Sequence, residues 1–181
     1  MRLTPCNLGH QHWHVEQSRN DSCGAACVAM VVKELNSKDV PFTFEADALK
    51  VKTAKAGLNV ADLVNLLTKN GIQAEHVNLD GDVGAAVRST SNGRHTEFPI
   101  FLQMFGKSAG GNDLSHWILL YGRKRNLVYD DQFCVLDPAC STGTVSLQTI
   151  AKTGVVSIKT VDGIVLVPTR HCIRILARGR A

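Results

Sequence analysis

The sequence predicts an α+β fold in which a helix near the N-terminus packs on a mainly antiparallel β-sheet. Two observations carry this. Helical apolar periodicity is confined to the part of the chain before Gly71, whereas short β-type apolar runs fill the part after it. The connections between those later runs are too short for the crossovers that parallel strands need. With 181 residues, 44% hydrophobic and 20% charged, the chain can bury a sizeable core. It is expected to form a single domain over residues 1–181, with its core at about 10–170 and a basic C-terminal tail.

The elements follow in order. "HQHWH" reads as a strand with His10, His12 and His14 on one exposed or partner-facing face and Trp13 on the opposite, core face. Three histidines on one face are also a conceivable metal site, but no acidic or cysteine ligand is near in sequence. Val28, Met30, Val31, Val32 and Leu35 continue an apolar stripe from Cys23, which predicts a helix over about 23–35 with Asp21 or Ser22 as its N-cap. "FTFEADALKVKTAKAG" carries a further helical turn or two. In "NVADLVNLLTKNG", Asn59 caps a helix, Leu63, Leu66 and Leu67 form its buried face, and Gly71 ends it. Strands are expected in "IQAEHVNL", "EFPIFLQMF", "HWILLYGR", "QFCVLDP", "VVSIKTVDGIVLVP" and "CIRIL", with a hairpin turn around "GRKRN". The glycine-rich "GKSAGGND" is either a loop at the rim of a cleft or an ordinary surface connection.

Composition excludes several classes. A net charge of +4 is mild, and the four arginines of "RHCIRILARGRA" are expected in a frayed, solvated tail, so no nucleic-acid partner is expected. No run of about 18 apolar residues could span a bilayer. The N-terminus lacks the apolar core of a secretion signal, so synthesis in a cytoplasm without a signal peptide is expected. The six cysteines are scattered, apart from Cys23 and Cys27, and reduced thiols are expected.

One constellation carries chemistry. A thiol becomes a nucleophile where its thiolate is stabilised, and Cys23 sits at a predicted helix N-terminus, with its partial positive charge and free N–H groups. Gly24, Ala25 and Ala26 let that first turn approach a neighbouring strand. His116, at the start of an apolar strand, is the candidate imidazole partner, and Asp137, at the end of the next strand, can fix its tautomer. The Cys23 backbone N–H and the Gln17 side-chain amide can serve an oxyanion. Cys27 reads as buried core, a Cys23–Cys27 redox or metal pair being the minor alternative. Trp117 either shields the site or lines a groove. "FGKS" lacks the glycine that a phosphate-binding loop requires.

Gln17, five residues, then Cys23, followed by His116 and by Asp137 with Pro138, resembles the papain-like superfamily of cysteine peptidases. "DSCGAACVAM", "SHWILLYG" and "VLDPA" are most similar to its bacteriocin-leader-processing branch, the double-glycine peptidase domains attached to export transporters; the likeness covers roughly residues 16–143. It implies a papain-like fold and a thioester acyl-enzyme. By the same resemblance, Gln17 serves the oxyanion hole, Cys23 attacks, His116 shuttles protons and Asp137 orients it. The expected function is a cysteine protease acting on a protein or peptide amide with no cofactor and no metal. A glutamine deamidase or transglutaminase on the same fold, and an inactive peptidase-like binding module, are the alternatives. The absence of a transporter in the chain further suggests a bacterial effector or toxin domain, delivered into a target cell and matched by a dedicated inhibitor or immunity protein.

Overall fold

The computed structural model describes residues 1–5, 10–53, 57–79, 98–108, 110–124, 132–140, 147–149, 156–159 and 163–178. Its helices come first. α1 (Cys23–Asn36) is lined along most of its length by small and aliphatic side chains and is almost wholly buried, which makes it the centre of the core rather than a surface helix. It stops at Ser37, whose left-handed φ of 54° sends its N–H to the Lys33 carbonyl. α2 (Phe44–Leu49) is the short helix expected in the ambiguous segment. α3 (Val60–Lys69) begins at a complete capping box: Asn59 accepts from the Asp62 N–H, and the Asp62 carboxylate accepts from the Asn59 N–H. Leu63 and Leu67 are fully buried, Leu66 packs at the margin, and Gly71 follows with φ 75°.

The strands are β1 (Arg2–Pro5), β2 (Gln11–His14), β3 (Ile72–Asn78), β4 (Ile100–Lys107), β5 (Asp113–Lys124), β6 (Gln132–Leu136), β7 (Leu147–Thr149), β8 (Val156–Lys159) and β9 (Val165–Arg178). β1 and β2 form a separate antiparallel pair. The other seven make one sheet in the order β6-β5-β4-β9-β8-β7, with β3 also paired to β9 and every pairing antiparallel. The two ends of that order, β6 and β7, touch, so the sheet curls round on itself. Alternation along β4 and β5 divides the apolar side chains between two clusters. Phe101, Trp117, Leu119 and Tyr121 join the helices, whereas Leu102, Met104, Ile118 and Leu120 fill the other face.

The C-terminal segment corrects the expectation of a solvated tail. "VLVP" and "CIRIL" are one strand, β9, flanked by β4 on one side and by β8 and then β3 on the other, with Cys172, Ile173 and Ile175 buried. Arg174 alternates with Ile173 and Ile175 and pairs with Glu75 of β3. Charge had suggested a tail; the period-two pattern beneath it decides the structure. Pro168 is tolerated inside β9 because the register with β4 shifts between Leu102 and Met104. "GKSAGGND" is the β4–β5 hairpin connection, tied by Ser108 N–H to the Asn112 carbonyl at 2.9 Å. The turn expected around "GRKRN" starts within β5, and its last two residues lie outside the described residues. Among the described residues no helix is long and apolar enough to cross a membrane.

Candidate active site

α1 and β5 pack against each other, and this places the start of the helix beside the start of the strand. Gly24 makes the approach possible: a Cβ there would lie 3.0 Å from Leu63 Cδ2 and 3.3 Å from Trp117 Cδ1. Trp117 is buried and donates its indole N–H to the Leu58 carbonyl at 3.1 Å, so it packs and braces the site rather than lining an open groove. Cys23, at the first position of α1, is 6% exposed. Its predecessor Ser22 occupies the N-cap position, but its side chain does not cap the helix. Asp21 does not cap it either. Its carboxylate takes Lys52 Nζ at 2.8 Å and Arg19 Nε at 3.1 Å, and the Lys52 contact chiefly holds it below the usual carboxylate range. The N–H groups of the first turn are thus left without a side-chain cap next to the sulfur.

His116 and Asp137 meet as expected. Nε2 of His116 lies 2.6 Å from Oδ1 of Asp137, and the Cys23 side chain lies close enough to the imidazole to act on its charge. With Nε2 taken by the carboxylate, Nδ1 is left for the sulfur. Burial opposes a charge on this ring, but Asp137 and Cys23 outweigh it and push His116 up to about 10. The ring is held protonated at neutral pH, between Asp137 and Cys23.

Asp137 is itself held from several sides. Oδ1 also accepts the Ala139 N–H at 2.8 Å, and the Asp137 carbonyl accepts Cys140 N–H at 3.1 Å and His14 Nε2–H at 3.0 Å. The last contact corrects the reading of "HQHWH". His12 and His14 face inward, 3% and 1% exposed, while Trp13 is the half-buried residue, with Lys33 Nζ 5.0 Å from its ring centroid. His12 lies against the Tyr121 ring at 4.0 Å and 3.4 Å from a Glu34 oxygen. The histidines alternate with Trp13 as predicted, but the faces are exchanged, because the imidazoles find polar partners inside. Burial lowers the pKa of His14 and keeps it neutral. No group of three metal-ligating side chains occurs among the described residues.

Gln17 lies next to this cluster: its backbone N–H donates to the Pro138 carbonyl at 2.8 Å. Its side-chain Nε2 donates to the Arg19 carbonyl at 3.0 Å, which leaves the second N–H of that nitrogen uncommitted. Cys27 is a core thiol; it donates to the Trp117 carbonyl, and burial pushes it well above the ordinary thiol value. A cleft of about 410 Å³ opens between Arg19–Asp21 and Asp113–Ser115, the segments that lead into Cys23 and His116.

The sequence placed His14 on an exposed face rather than beside Asp137, and Glu45 was not singled out. Glu45 is 9% exposed, and its Oε2 accepts from the Ser18 N–H at 2.9 Å and from the hydroxyls of Ser18 and Ser22. A signal existed: Glu45 shares a helix face with Ala48 and Leu49, at positions i, i+3 and i+4, and both of these are buried.

Comparison with known proteins identifies the family and the fold. The family model described as "Peptidase C39 family" matches residues 12–153. The peptidase domain of Streptococcus ComA, a bi-functional ABC transporter involved in a quorum sensing pathway, has 18% identity and a TM-score of 0.61 over 91% of this chain and 97% of that one. A double glycine motif protease from an AMS/PCAT transporter, solved with its leader peptide, has 20% identity and a TM-score of 0.55 over 93% of this chain and all of that one. No curated protein matches the sequence. A papain-like α+β fold and a match over most of the chain place it in the peptidase C39 family: it is a cysteine peptidase, a hydrolase.

Proposed function

We propose that the enzyme hydrolyses a peptide bond through Cys23, His116, Asp137 and Gln17. The observation that carries this is the continuous line from the Cys23 side chain through His116 to Asp137 Oδ1 at 2.6 Å. The Cys23 sulfur attacks the peptide carbonyl carbon as a thiolate, its proton carried by His116, and the carbonyl electron pair moves onto oxygen. The Cys23 backbone N–H and the free N–H of Gln17 Nε2 receive that oxyanion. His116 gives its proton to the leaving nitrogen as the tetrahedral species collapses to a thioester, then takes one from the incoming water. Asp137 fixes the ring so that the same nitrogen faces the sulfur throughout. Protons and electron pairs are all carried by side chains, backbone and water, and the scheme uses no metal or cofactor.

The substrate is a peptide. The leader peptide bound by the double glycine motif protease makes a segment with a Gly-Gly pair before the scissile bond the first to try. Mass spectrometry of such a peptide after incubation should show two fragments with wild type and none with Cys23→Ala. An intact peptide in which a glutamine has become a glutamate would make the enzyme a deamidase instead. An effector or toxin setting with a dedicated inhibitor is a separate proposal, tested by whether such an inhibitor co-purifies from the source.

A further inference from the structure

Resting on that reading of Cys23 and Gln17, we propose that Glu45 is a positioning residue for the oxyanion hole. It lies on α2, outside the segment that carries Gln17 and Cys23, and touches none of the reacting groups. Its Oε2 gathers three donors from the short stretch between those two residues: the Ser18 N–H, the Ser18 hydroxyl and the Ser22 hydroxyl. A buried acceptor with three donors fixes the chain that supplies them more firmly than a surface contact would.

The connection continues to Gln17. Ser22 Oγ, donating to Glu45, accepts the Arg19 N–H at 3.1 Å, and the Arg19 carbonyl accepts Gln17 Nε2 at 3.0 Å. Gln17 Oε1 is buried with no hydrogen-bond partner among the described residues, so the amide is oriented through its nitrogen, by Arg19 alone. The Arg19 carbonyl also accepts the Ser22 N–H at 3.1 Å and lies 3.0 Å from Ser22 Oγ, so Glu45, by holding Ser22, helps to set which way the second N–H of Gln17 points. With its hydroxyl donating to Glu45 and accepting the Arg19 N–H, Ser22 makes no capping bond to α1, and the N–H groups of the first turn are left for the reaction. A residue that only tied α2 to the neighbouring segment would not need to reach the N-cap serine.

Two small probes separate positioning of the oxyanion hole from general support. p-Nitrophenyl acetate acylates a thiolate through a tetrahedral oxyanion, expelling p-nitrophenolate; iodoacetamide alkylates it by displacing iodide, with no oxyanion formed. Glu45→Ala should slow acylation of Cys23 roughly tenfold, part of the ~10²–10³ that loss of a whole donor costs, and leave alkylation near the wild-type rate. Glu45→Gln, which keeps an acceptor oxygen, should recover most of the acylation rate. In a Gln17→Ala background Glu45→Ala should add little, because both act on one group. If Glu45→Ala does not fold, Ser22→Ala breaks the same connection one member later and is read in the same way. Equal slowing of both probes, unchanged acylation, or losses that multiply with Gln17→Ala would each overturn the proposal. Wild-type acylation that survives Cys23→Ala would instead overturn the reading of Cys23 itself, and this inference with it.

Discussion

His116 is held as an imidazolium by the two groups it touches, and the sign of its contribution to stability follows. A histidine raised from 6.5 to about 10 on folding stabilises the protein fully below pH 6.5, and that contribution fades as the pH rises through about 10. Urea unfolding of wild type and His116→Gln should therefore show its largest stability difference near pH 6 and a shrinking one towards pH 10. A difference that grows with pH would contradict the assignment. His14 acts oppositely. Buried and neutral, it costs stability as the pH falls below 6.5, because only the unfolded chain accepts the proton freely. His14→Ala, which also removes the bond to the Asp137 carbonyl, should lower stability at pH 7 by about 1–3 kcal/mol and flatten the acid limb of the pH profile.

Elements are positioned by a few local devices. Gly57 has φ +100°, and a Cβ there would lie 2.7 Å from the Asp21 carbonyl oxygen, so Gly57→Ala must push back the segment that leads to Cys23. A loss of roughly 1–3 kcal/mol is expected, with a lower rate of Cys23 modification; a neutral Gly57→Ala would show that this contact is not formed. Asn59→Ala removes half of the α3 capping box and should cost about 1 kcal/mol by denaturant titration, without effect on Cys23 reactivity. α1 and α3 were legible in the sequence because their stripes and boundary residues agree. The Ser22 side chain was not, because its hydroxyl is held between the Arg19 N–H and Glu45, the latter from a distant part of the chain. Likewise, the period of "HQHWH" was readable but the choice of face was not, since it depends on Glu34, Tyr121 and the Asp137 carbonyl.

At the scale of the molecule, the sheet is organised around β9, the last long strand in sequence and the one that joins β3, β4 and β8. Gln17, Cys23, His116 and Asp137 were legible through their order and residue types, and the fold brings the last three into contact across an interval of more than a hundred residues. What sequence could not show is the layer behind them. His14 and Glu45 act through partners far apart in the chain. The central claim is that Cys23 is a nucleophile activated by His116. The most direct test is the rate of iodoacetamide labelling of each cysteine in native protein across a pH series, for wild type and His116→Ala. Cys27, which burial raises well above the ordinary thiol value, and Cys172, which it pushes up to about 12, serve as internal slow thiols. The account predicts selective labelling of Cys23 well below pH ~8.5, the value of a free thiol, and loss of that selectivity in His116→Ala. Labelling of Cys23 no faster than an ordinary thiol, or unchanged by His116→Ala, would contradict it.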